Sequence, residues 1–181
     1  VEPERVARSI FRELKLWKLF FSNSQGPLDK KRLLGFAGEL LALNALIVSS
    51  RETTESIVRG WKGPNQGLHD FCYKKSLFEV KSSISSADMY FHIFSPVQLF
   101  KIKEKNLYLV HQIFSWEAKG LSINSMISNL KKMLSENSTA LFIFEELIHA
   151  SGYHEIHYDY YEAEDLKLLH VKSDIYDVND N

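Results

Sequence analysis

The sequence predicts a single domain of the α+β or α/β class, and three observations carry that reading. Apolar residues recur at helical spacing through the first 46 residues, then strand-like alternation takes over between Gly67 and Ser83. Helix-periodic and strand-like stretches then follow one another to the end of the chain. At 181 residues the chain is long enough for one substantial core, and 45% hydrophobic with 25% charged residues is the balance of a globular protein. The expected domain covers residues 1–173, of which 1–27 form an N-terminal helical segment, with an acidic tail over 174–181.

Element by element, Val6, Ile10, Phe11, Leu14, Trp17 and Phe20/Phe21 give a helix that the turn residues "SNSQGP" end. A second helix starts near Leu28; Leu33, Leu34, Phe36, Ala37, Leu40, Leu41, Leu43 and Leu46 leave it little polar surface, yet Glu39 sits among them. "GWKGPNQG" reads as a loop. Two strands follow within "GLHDFCYKKSLFEVKSS", a third in "MYFHIFS", and a short helix in "SPVQLF" with Ser95 as N-cap and Pro96 at its first position. "NLYLVHQIFSWE" is a long strand; "SINSMISNLKKMLSE" and "TALFIFEELIHA" are helices; "YHEIHYDYY" and "DLKLLHVKS" read as late strands.

Charge and composition narrow the function classes. A net charge of −1 argues mildly against coating nucleic acid through bulk charge, and leaves room for contact with a few phosphates. The single cysteine, Cys72, excludes an internal disulfide and a cysteine-rich zinc site, and suggests a reducing, cytoplasmic setting. No apolar run in the sequence suggests a membrane helix, so no membrane association is expected. Lysine clusters such as Lys74–Lys75 and Lys131–Lys132 read as solvated faces.

The charged hairpin is the most informative stretch. With Lys74 and Lys75 at its tip, Tyr73 pairs with Ser76, Cys72 with Leu77, Phe71 with Phe78 and Asp70 with Glu79. Side chains alternate along a strand, so Asp70, Glu79 and Lys81 share one face while Phe71, Phe78 and Val80 share the other. Two opposed carboxylates repel unless a cation or proton joins them. A divalent ion with oxygen ligands would join them, and Lys81 would point into the same site. A surface ion pair between Lys81 and either acid is the plainer alternative, and spacing does not choose between them.

In order along the chain, "GFAGELLAL", "WKGPNQGLHDF", "FEVKSS" and "HIFSPVQL" make it resemble the PD-(D/E)XK nuclease superfamily. The resemblance extends from about Leu28 to Ser173 and is closest to the PD-(D/E)XK-motif proteins of prokaryotic restriction and phage-defence loci. It implies a restriction-endonuclease-like fold, a central mixed sheet flanked by helices, and Mg²⁺-dependent cleavage of DNA with Mn²⁺ as a substitute ion. Residue by residue, Asp70 and Glu79 match the metal acids and Lys81 the motif lysine. The Val80 carbonyl is expected to contribute to the metal. Glu39 matches the helix glutamate and Gln98 the glutamine of some branches. His69 stands where the motif has proline. A homodimer and partner proteins of a defence system are further expectations.

A different class stays open: a nucleic-acid-binding or assembly module that keeps this fold without the chemistry. The other polar candidates read more simply. His149, His154 and His157 suggest packing rather than a metal site, Cys72 a small buried hydrophobe, and Ser82 or Ser83 a hydrogen-bonding rather than nucleophilic role.

Overall fold

The computed structural model describes residues 26–50, 52–63, 67–85 and 105–178, with isolated positions between 6 and 17 that are helical. Helix α1 (Lys30–Ser49) opens where Asp29 accepts the Arg32 N–H at 2.8 Å. A short helix α2 (Thr54–Gly60), capped by Thr53, precedes the hairpin. Then come β1 (Phe71–Tyr73), β2 (Ser76–Ile84), β3 (Asn106–Leu121), α3 (Ile123–Leu134), α4 (Ser138–Ala150), α5 (Tyr158–Tyr161) and β4 (Leu168–Asp177).

The four strands form one mixed sheet in the order β1-β2-β3-β4. The two outer pairs are antiparallel, and β2 and β3 are parallel. The third-strand and short-helix expectations, with Gln98, fall in 86–104 and lie outside the described residues. The architecture is the expected one: a mixed sheet flanked by helices, α+β, consistent with a restriction-endonuclease-like fold.

One sheet face packs on the helices. Val80, Val110 and Phe114 meet Leu33, Ala37 and Leu40 of α1, Ile127 and Leu130 of α3 and Phe144 of α4 in a continuous core. By length and composition α1 could cross a membrane, which the sequence reading did not anticipate. Here it is the central core helix. It lies so close to β2 that a Cβ on Gly38 would fall 2.0 Å from Ser82 Oγ. A glycine is therefore required at this crossing.

Three expectations change. Helix α2 was hidden in a stretch without clear periodicity. "YHEIHYDYY" is not a strand: two short helical turns put Tyr153 and Tyr161 side by side in the core, ring centroids 5.2 Å apart. Asn124 of α3 fixes this segment, donating to the Tyr158 carbonyl and accepting from the Tyr153 hydroxyl. β2 and β4 already pair with both sides of β3, so β3 offers it no edge. Finally, β4 runs through Asp177, so the acidic end is ordered strand further than its composition suggested.

Candidate active site

The hairpin adopts the register read from the sequence: Phe71 faces Phe78, Cys72 faces Leu77 and Tyr73 faces Ser76. Lys74 takes up a positive φ of 52° at the tip, the left-handed conformation that a two-residue turn demands. Asp70 lies one residue before β1. Its backbone is held by a short extension of the ladder, in which Trp61 bridges to Phe71 and the Lys62 N–H donates to the Asp70 carbonyl at 2.8 Å.

Each acidic side chain has a distinct anchor. Asp70 Oδ2 accepts the Val80 N–H at 2.7 Å, which ties the acid across the hairpin to β2. Glu79 is almost fully buried, and its Oε1 accepts from Lys81 Nζ at 2.6 Å. Its Oε2 is buried without a hydrogen-bond partner among the described residues. Glu39 Oε2 accepts from the Trp61 indole N–H at 2.7 Å. Trp61 is itself locked between Phe36 and Phe71, so the donor cannot swing away.

The three carboxyls feel one another. Burial, then the charge of Asp70 and more weakly that of Glu79, pushes Glu39 up to about 8, against the opposing Trp61 bond and Lys81 charge. Burial and Glu79 push Asp70 up to about 6, offset by the Val80 N–H, Lys81 and His69. Burial also raises Glu79, offset by the bond and charge of Lys81 and by the Asp70 N–H. Lys81 is the cation acting on all three. Three carboxyls and one ammonium in a desolvated place favour either bound protons or an added cation.

The donor set suits a divalent ion in one specific way. Among the described residues no three His, Cys, Asp or Glu side chains form a ready cage. Hard ions such as Mg²⁺ are usually held by one or two carboxylates with waters and substrate oxygens completing the shell, so a cage is not required. The orphaned buried Glu79 Oε2 beside a second carboxylate fits such an ion.

Two features were missed by the sequence reading. Trp61 was assigned only to a loop, although an aromatic in a Gly/Pro-rich segment just before an acid is a usable hint. Ser83 was read only as a hydrogen-bonding residue with no partner named; its Oγ lies 2.8 Å from His111 Nε2 in a buried contact. Ser83 is nine-tenths buried near the end of β2, which suits a structural bond better than a nucleophile. His69 is buried, and both its ring nitrogens lack a hydrogen-bond partner among the described residues. Cys72 is half-buried and accepts from Lys105 Nζ at 2.9 Å. His149 and His154 pack ring against ring, with centroids 5.8 Å apart.

A protein-family model described as "Putative PD-(D/E)XK family member, (DUF4420)" matches residues 1–181. No curated protein and no solved structure matches the chain.

Proposed function

We propose, from the premise that this chain belongs to the PD-(D/E)XK family its matching model describes, that it is a metal-dependent nuclease hydrolysing DNA phosphodiesters. The observation that carries this reading is the buried group Glu39, Asp70 and Glu79, balanced among the described residues by Lys81 and pinned by Trp61 and the Val80 N–H. A fold kept only for packing would gain stability by replacing such a group with apolar residues. Restriction or phage defence is the setting in which such an activity fits.

Asp70 and Glu79 would hold the ion, Mg²⁺ or Mn²⁺, with the Val80 carbonyl beside them and Glu39 in support. When bound, the ion supplies charge neutralisation at the phosphate and a water acidic enough to attack it. The chain's own residues do the rest. The Val80 N–H fixes the rotamer of Asp70, and Trp61 fixes that of Glu39. Glu79 holds Lys81 close to the acids, where its ammonium would face a bound phosphate and stabilise the negative charge that develops on it. Burial keeps bulk water from screening these charges.

The near-neutral net charge favours a second reading, a nucleic-acid-binding module without chemistry. Plasmid DNA incubated with Mg²⁺ or Mn²⁺ separates the two. Cleavage by the wild type and none by Lys81→Ala or Asp70→Asn supports the nuclease. Equal cleavage by all three removes these residues from the mechanism, and no cleavage of any DNA or RNA leaves the binding module.

A further inference from the structure

We propose that β4 pairs antiparallel with β4 of a second copy of this chain, centred on Ser173, joining two sheets into one. Among the described residues β4 is the outer strand beyond β3, ten residues long. Its outer part is uncovered: Val171 is 53% and Ile175 65% exposed. A long edge strand with exposed apolar side chains is a template for another strand, and proteins usually blunt such edges.

The blunting devices here are self-cancelling. Lys172 on an edge would ordinarily repel a second strand, but Asp174 stands two residues on, 2.7 Å from it on the same face. Consider an antiparallel partner of identical sequence with Ser173 opposite Ser173. Lys172 then faces Asp174 of the copy, Asp174 faces Lys172, and Val171 faces Ile175. The run "VKSDI" is thus complementary to its own reverse: apolar, cation, small, anion, apolar. Every opposed pair is of a kind that stabilises antiparallel sheets. The two-fold axis through Ser173 makes the contact closed and isologous, so it ends at a dimer. A foreign strand would need no such symmetry. The ladder between β3 and β4 is regular from Lys172 to Asp177, with its shift falling at Val171, so the central part of the edge is straight.

The test uses the full chain. Sedimentation is expected to give a dimer in the micromolar range. In a Cys72→Ser background, Ser173→Cys should cross-link to a disulfide dimer under mild oxidation. Directly opposed residues have Cα atoms about 4.5–5.5 Å apart, inside the range a disulfide spans. Lys119→Cys, exposed at the far end of β3, should remain monomeric on the same gel. Lys172→Asp should weaken the dimer about tenfold or more, since like charges then meet twice. The swap Lys172→Asp with Asp174→Lys should restore it. A monomeric wild type at about 100 µM overturns the proposal and leaves the edge to a different partner. A single mutant as dimeric as wild type, a swap that fails to rescue, or Ser173→Cys cross-linking no faster than Lys119→Cys overturns it equally.

Discussion

Among the described residues the sheet carries three acid–lysine pairs with one residue between the partners, and only one of them looks like a site. Glu79–Lys81 on β2, Glu117–Lys119 on β3 and Lys172–Asp174 on β4 have N–O distances of 2.6, 2.9 and 2.7 Å. Register places Lys81, His111 and Asp174 in one row across the same sheet face. What differs is burial. The Glu79 and Lys81 side chains are 3% and 15% exposed, against 37% and 72% for Glu117 and Lys119. Burial turns a motif that recurs by chance on any sheet into an electrostatic device, because only there do further carboxyls raise the demand for positive charge.

The largest break of this comparison is Lys81→Met. It takes the ammonium away from three buried carboxyls, and removing one partner of a buried pair costs about 3–5 kcal/mol. The loss should be greatest near pH 8 and should shrink toward pH 5, where the acids take up protons. Chemical denaturation at both pH values reads it. An equal loss at both would show that packing, not charge, is what Lys81 contributes.

Next in size is Gly38→Ala, which drives a methyl to within 2.0 Å of Ser82 Oγ at the crossing of α1 and β2. Overpacking of this kind costs about 1–3 kcal/mol. Ser82→Ala in the same chain removes the clashing hydroxyl and leaves Cβ–Cβ contact at 3.4 Å, so the double variant should recover most of the loss. Failure to recover would mean that the helix is held off by Val80 instead.

Glu39→Gln comes third and carries a sign. The native carboxyl titrates near 8 against an ordinary 4.5, so between those values the folded protein holds a proton that the unfolded chain has released. The contribution of Glu39 to stability therefore falls as pH rises through that window. The amide of the variant stays neutral and can still accept from Trp61. The variant should melt higher than wild type at pH 9 and match it near pH 5. A uniform shift at all pH values would place the effect outside the titration. Added Mn²⁺ should raise the wild-type melt and leave Asp70→Asn unchanged, since a ligand of the folded state alone stabilises it.

Much of this arrangement was legible because strand alternation is strict. The hairpin register followed from placing Lys74 and Lys75 at the tip, which gives Phe71, Phe78 and Val80 one common face, and Glu39 stood out as a charge in an apolar helix. Helix α2 and Trp61 were not legible, because seven residues with Gly and Pro close by give no period, and the indole's role depends on a partner 22 positions upstream. The Ser83–His111 contact depends on β2 and β3 being parallel neighbours, which no local pattern encodes. The aromatic run after α4 alternates like a strand, yet Asn124 gives its backbone a partner that sequence spacing cannot show.

The smallest expected effect is the sharpest control. Lys119→Ala breaks an acid–lysine pair of the same spacing, N–O distance 2.9 Å, on a neighbouring strand of the same sheet. Its side chain is 72% exposed, and Glu117 keeps a hydrogen bond from the Ser115 hydroxyl at 2.7 Å when the lysine goes. Water replaces the lost partner at once, and salt already screens the pair. The melting midpoint should stay within about 1 °C of wild type at pH 5 and pH 8 alike. Any cleavage activity should be unchanged, since this pair projects from the end of β3 away from the acids. A Lys119→Ala variant as damaged as Lys81→Met would show that burial is not what separates the two pairs, and the assignment of the site to Asp70, Glu79 and Lys81 would lose its main physical ground.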